Sequence, residues 1–136
     1  MKNINVLFFL IFALFILSNI ARSQDEFEMK DGDVTYIMKK YYMCFLKRGD
    51  NRTQDSVTSA QIQKGHMEHL SKLSKEGHIQ IAGPFGGNGD LRGIVVFSVS
   101  SKEEAERLAS EDPAVIAGRL KVEILEWWAA KGSTLK

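Results

Sequence analysis

His66 is a polar residue on an apolar helical face. It follows Ile62 by four positions, precedes Leu70 by four, and Leu73 continues the same face at the 3.6-residue repeat. Asp112 opens the segment Asp112-Pro113-Ala114-Val115-Ile116-Ala117-Gly118, well downstream. A histidine facing a core or cleft, with a carboxylate folded beside it, is the minimal apparatus of general acid–base chemistry. Each residue also has a plainer use. A histidine in an apolar stripe is often a packing residue with its ring N–H bonded to a carbonyl. Asp followed by Pro is an N-cap and N1 pair, whose carboxylate accepts the free N–H groups of a helical turn. The two uses of Asp112 are compatible, because a capping carboxylate has a second oxygen. That oxygen can hold an imidazole in one tautomer and favour its protonated form.

The other reactive side chains are less telling. His66 and His69, at i and i+3, can share a metal whose ligand set a third histidine, His78, would complete, but such spacing is common by chance. Haem held by a single histidine is a minor variant of the same idea. We expect no metal and no cofactor. No serine or cysteine stands in a nucleophile motif. Cys44, within Tyr41-Tyr42-Met43-Cys44-Phe45-Leu46, reads as a buried structural thiol. Gly83-Pro84 and the glycines at 86, 87 and 89 match no phosphate-binding loop. They read as a strand end and a turn, with Gly83 a point where backbone lines a cleft closely.

The elements that must position these groups are legible. Tyr36 to Lys47 reads as a strand, and Arg48-Gly49-Asp50-Asn51-Arg52 breaks it. The Arg-Gly-Asp within it is a turn rather than an adhesion signal. Thr58 to Glu76 predicts a helix closed by Gly77. His78 to Ala82 alternates as a second strand, and Gly93 to Val99 is an apolar third. Ser100-Ser101-Lys102-Glu103-Glu104 carries two overlapping capping boxes that start a second helix ending near Glu111. A short turn follows from Asp112, and Val122 to Trp128 is the last strand. The order β-α-β-β-α-β is the α+β, ferredoxin-like plan, with both helices on one face of an antiparallel sheet. Tyr41, Tyr42, Phe45, Val96, Trp127 and Trp128 supply more large apolar surface than one face needs. We therefore expect a homodimer, with the free sheet faces meeting.

Composition narrows the class. Residues 1–23 read as a secretory signal peptide: a positive start, an apolar run from Val6 to Leu17, and Ala21-Arg22-Ser23 before the cut. The alternative is an uncleaved N-terminal membrane anchor. Residues 24–34 are acidic and read as a leader or mobile arm, residues 35–130 as the domain, and residues 131–136 as a tail. Losing Lys2 and Arg22 from the 18 basic residues leaves them one short of the 17 acidic ones. Such a balance suits neither nucleic acid nor an anionic membrane. A single cysteine in an exported chain makes no internal disulfide.

His66, Leu70, Leu73, Gly77, Ala82-Gly83-Pro84, the apolar strand, Glu103-Glu104-Ala105, Asp112-Pro113 and Gly118 together resemble the YciI-like (YCII-related) family over residues 40–128. The resemblance implies a ferredoxin-like dimer, a dimeric α/β-barrel. It also implies that the family's signature histidine and aspartate, proposed to be catalytic, fall on His66 and Asp112. The family's histidine precedes the helix-ending glycine by eleven residues, which selects His66 over His69. This chain departs from the usual member in its signal segment and acidic leader. The expected function is a small exported enzyme of lyase or isomerase type, acting on a small organic molecule. His66 and Asp112 would be catalytic, and Gly83, Pro84 and an aromatic residue of the sheet would line the pocket. The alternative is a non-catalytic module of the same fold that binds a small ligand or a partner.

Overall fold

The structure, a computed structural model, describes residues 25–136; the signal segment assigned to residues 1–23 lies outside the described residues. The elements are β1 (Glu26–Asp31), β2 (Val34–Arg48), α1 (Ser56–Lys75), β3 (Ile79–Pro84), β4 (Leu91–Phe97), α2 (Lys102–Ser110), α3 (Pro113–Ile116) and β5 (Leu120–Ala130). Among the described residues no helix is long and apolar enough to cross a membrane. The chain divides into two compact units. One comprises Tyr41–Trp127; the other comprises the residues up to Lys40 together with Trp128–Lys136.

The Tyr41–Trp127 unit is an antiparallel sheet with helices, in the strand order β3-β4-β2-β5. Tyr42 pairs with Phe97 and Phe45 with Ile94, while Ala82 pairs with Val95 and Gly83 with Ile94. Lys47 is bonded to Glu123 and Tyr41 packs on Trp127, so β5 runs antiparallel to β2. With the helices between strands one and two and between three and four, this is the ferredoxin-like arrangement expected from the element order. Tyr42, Cys44 and Leu46 of β2, Val95 and Phe97 of β4 and Ile124 of β5 share one face of the sheet. Leu73 of α1 and Ala105, Leu108 and Ala109 of α2 close the core against them. The period-two alternation of the strands leaves Leu125 and Trp127 exposed on the opposite face.

Local chemistry explains the helix limits. Asp55 caps α1 by accepting from the Thr58 N–H at 2.7 Å. The helix ends in a Schellman motif: His78 N–H donates to Leu73 O, Gly77 N–H to Ser74 O, and Gly77 takes a φ of 82°. The short α3 ends the same way, with Arg119 N–H on Ala114 O, Gly118 N–H on Val115 O and Gly118 at φ 70°. The start of α2 differs from a simple capping box. Ser101 Oγ accepts from the Glu104 N–H, but the Glu104 carboxylate reaches Ser100 rather than Ser101.

The segment read as a leader or mobile arm, residues 24–34, has regular structure from Glu26 onward. It forms a hairpin in which Glu26 faces Lys39 and Asp31 faces Val34, around a two-residue loop with Gly32 at φ 59°. Phe27 and Met29 alternate with charged neighbours, and Phe27 stacks edge-on against Trp128 at 5.0 Å. The acidic composition masked this period-two signal.

Cys44 is fully buried, as the sequence suggests. Burial, and secondarily the charge of Asp112, pushes its thiol from 9.0 up to about 12. The unfolded chain therefore gives up this proton before the folded one does. The associated stability is complete below pH 9 and is lost as pH rises toward about 12. Denaturant titrations between pH 8 and 11 should show a decline of up to about 1.4 kcal/mol per pH unit from this group. The part due to Cys44 should vanish in Cys44→Ala, and an identical slope in that variant would exclude it.

Candidate active site

His66 leaves α1 toward a cavity of about 760 Å³ in the Tyr41–Trp127 unit. The cavity lies between α1, β3, the start of β4 and the start of β5; Ile62, Leu70, Ile79, Ile94 and Leu120 form much of its apolar wall. Behind the ring, His66 Nδ1 lies 2.6 Å from Asp112 Oδ2. The carboxylate divides its work, because Oδ1 accepts from the Ala114 N–H at 2.8 Å and caps α3. Both residues are buried, at 8% and 3% exposure, although each is ionisable. A carboxylate opposite Nδ1 fixes the tautomer with the proton there. Nε2 then carries the lone pair, and it has no protein hydrogen bond among the described residues. His66 is among the residues lining the cavity, and with Nδ1 taken by Asp112, Nε2 is the ring nitrogen left available to it.

A glycine sits at the seam beside this contact. Gly65, adjacent to His66 in α1, faces Pro113; a Cβ there would stand 3.1 Å from Pro113 Cγ. The gap lets α3 press on α1 closely enough for Asp112 to reach the ring. Gly65→Ala should gain up to about 1 kcal/mol of helix propensity and displace Pro113 by a few tenths of an ångström. The expected result is a fold of nearly unchanged stability with a perturbed His66 ring resonance. A His66 spectrum identical to that of the unaltered chain would exclude this positioning role.

The remaining histidines are placed elsewhere. His69 Nε2–H donates to the Leu108 carbonyl at 2.9 Å and ties α1 to α2. His78 stands 3.9 Å from Glu76 in the turn after α1. Among the described residues no group of three histidine, cysteine or acidic side chains is arranged to hold a metal.

The YCII-related domain model matches residues 41–128, nearly the same span as the larger compact unit. The chain belongs to the YCII-related family. A similar member is YjpA of Bacillus subtilis (strain 168), described as uncharacterised. It is 30% identical over 86 residues, 63% of this chain and 92% of that protein. Among solved structures, the chain is similar to the 5-chloro-2-hydroxyhydroquinone dehydrochlorinase TftG of Burkholderia phenoliruptrix AC1100, in complex with 2,5-dihydroxybenzoquinone. The identity is 21% and the TM-score 0.49, over 64% of this chain and 92% of that one.

In this YCII-related chain, His66, Asp112, Gly83 and Pro84 come together as one assembly: the first two touch, and Gly83 and Pro84 lie in the cavity wall with His66. The expected aromatic wall is corrected. Among the described residues, no phenylalanine, tyrosine or tryptophan lines the cavity. Alternation along β2 and β5 turns Tyr41 and Trp127 to the opposite sheet face, where their rings lie 6.2 Å apart. Tyr42 and Phe97 are spent in the core.

Sequence reasoning missed three lining residues, Arg52, Arg92 and Arg119. They come from a loop, a strand and a helix C-terminus, and no spacing rule links them. Gly49 and Gly118 bring two of them together. The Gly49 N–H donates to Arg119 O at 2.8 Å and the Asn51 N–H to Gly118 O at 3.0 Å. The Arg-Gly-Asp segment is thus a turn joined to the end of α3 through its buried Gly49, with the exposed Asp50 paired to Lys121.

Proposed function

We propose that this YCII-related chain is a small enzyme that moves a proton on and off a small organic molecule, in lyase or isomerase chemistry. His66 Nε2 is the general acid–base, Asp112 orients the ring, and Gly83 and Pro84 form part of the substrate wall. The observation that carries this is the 2.6 Å contact from Nδ1 to Asp112 with the opposite ring edge at the cavity. When Nε2 takes a proton, the carboxylate offsets the charge on the ring, so the pair can accept and return it. The seclusion of Cys44, with its thiol pushed up to about 12, argues against a cysteine nucleophile. Ser71 and Ser74 share the cavity wall, but among the described residues neither bonds to His66.

The test is exchange of carbon-bound protons. A panel of small keto acids and β-substituted acids in D₂O, followed by NMR, should show deuterium uptake or elimination with the unaltered chain. The rate should fall by about 10²–10⁴ in His66→Ala. Equal rates in both proteins would remove His66 from the chemistry.

We further propose that the chain is exported through its first 23 residues and works as a homodimer. The exposed Leu125 and Trp127 beside Tyr41 support a second copy on the free sheet face. A monomeric sedimentation coefficient at micromolar concentration would rule the dimer out. The non-catalytic reading draws on Asp112, which already has a structural task as the α3 cap.

A further inference from the structure

The cavity that holds His66 has an unbalanced charge. Arg52, Arg92 and Arg119 line it, and among the described residues no aspartate or glutamate does. Elsewhere cations have acidic partners: Lys40 with Asp25, Lys102 with Glu106, Arg107 with Glu111, Lys121 with Asp50. The three cavity arginines are held differently, each by neutral oxygens. Arg52 Nη1–H donates to Arg119 O at 3.2 Å. Arg92 Nη1–H donates to Gly87 O and Gly89 O, both at 3.3 Å. Arg119 Nη1–H donates to Gln54 Oε1 at 2.9 Å and Ser59 Oγ at 3.0 Å.

These bonds fix the guanidinium groups without neutralising them. Three tethered cations with spare N–H donors, beside an apolar wall, form a receptor for one ligand chemistry. We propose that the cavity binds a small organic oxyanion, with its negative group on the arginine cluster and its apolar body against Ile62, Ile79 and Ile94, its reacting carbon toward His66. This deepens the acid–base reading above and rests on it for the reaction, though anion binding is measurable by itself. The electrostatics agree: desolvation first, then repulsion by Arg119, Arg48 and Arg92, lowers the hold of the Arg52 guanidinium on its proton. A bound anion relieves that repulsion. Carboxylate and phosphate share the recognising chemistry, since both present oxygens that pair with the guanidinium fork.

The experiment compares benzoate, phenyl phosphate and neutral benzamide at constant ionic strength. Binding is read from the arginine Nε–Hε resonances in ¹H–¹⁵N spectra of the full chain. Benzoate or phenyl phosphate should shift the Arg52, Arg92 and Arg119 signals saturably, with little change at Arg107, which is already paired. The better of the two identifies the oxyanion. Benzamide should bind at least tenfold more weakly. Arg52→Gln and Arg92→Gln should each weaken anion binding about tenfold, in proteins whose backbone spectra show an intact fold. Arg119→Gln is the riskier variant, because Arg119 also braces Gln54 and Ser59. Equal binding of benzamide and benzoate would overturn the proposal, as would unsaturable shifts or full affinity in the double variant. Asp112→Asn separates the two readings. Anion binding that persists while turnover is unaffected leaves the receptor and removes the acid–base pair. Lost turnover with no preference for anions does the reverse.

Discussion

Asp112→Asn is expected to fold and to lose turnover by about 10³–10⁴, the scale of a misplaced imidazole proton. The α3 cap decides how the variant side chain is oriented. One oxygen of residue 112 must accept from the Ala114 N–H, 2.8 Å away. An asparagine can satisfy that bond only with its carbonyl, because its amide would meet the N–H donor to donor. Its NH₂ group is then directed at His66 Nδ1, where the carboxylate oxygen lies 2.6 Å away in the native chain. Nδ1 must become the acceptor, the ring proton moves to Nε2, and the lone pair leaves the cavity edge. The stability cost is the loss of one charge-assisted bond, about 1–3 kcal/mol. Long-range ¹H–¹⁵N correlation of the His66 ring reports the tautomer directly. Turnover within tenfold of the native chain, or an Nδ1–H tautomer in the variant, would defeat this account.

Gly49→Ala should be the most damaging small substitution for stability. A Cβ at residue 49 would fall 2.1 Å from the Gly118 oxygen and 2.6 Å from the Arg119 carbonyl carbon. Both are backbone atoms, so no rotamer can relieve the clash. The loop must lift away from the end of α3 and surrender the Gly49 to Arg119 and Asn51 to Gly118 bonds. Overpacking and two lost backbone bonds together cost about 3–5 kcal/mol. Gly87→Ala is the control. Its φ is 83° and a Cβ there meets nothing within 4 Å, so only backbone strain of about 1–2 kcal/mol is expected. Denaturant midpoints should rank the two variants in that order. Comparable losses would mean that the tight seam between the loop and α3 contributes nothing.

Much of the larger unit was legible in the sequence because its signals are local. The recurrence of Ile62, His66, Leu70 and Leu73 defined α1, and Gly77 and Gly118 marked the helix ends that the structure shows. The family resemblance added which histidine to weigh, and the structure brings that histidine to Asp112. The signals that failed were of two kinds. In Glu26–Asp31 the alternation was present, but four charged neighbours around Phe27 and Met29 outweighed it. For the cavity, the information was never local. Arg52, Arg92 and Arg119 converge only through the fold, and Gly65 and Gly49 matter because of the Pro113 ring and the Gly118–Arg119 backbone, both from distant segments. The misplaced aromatic wall has a related cause, since sequence alternation fixes opposite faces without saying which face has the cavity.

The seclusion of Cys44 bears on where such a chain can live. A lone accessible thiol in an oxidising compartment is a handle for mixed disulfides and covalent dimers. Here the sulfur has no solvent exposure and is held as the unreactive thiol. The folded domain is therefore indifferent to the redox poise around it. Selection could move this scaffold between reducing and oxidising surroundings by adding or removing an export signal such as the one proposed for residues 1–23, with no cysteine to remove and no bridge to add.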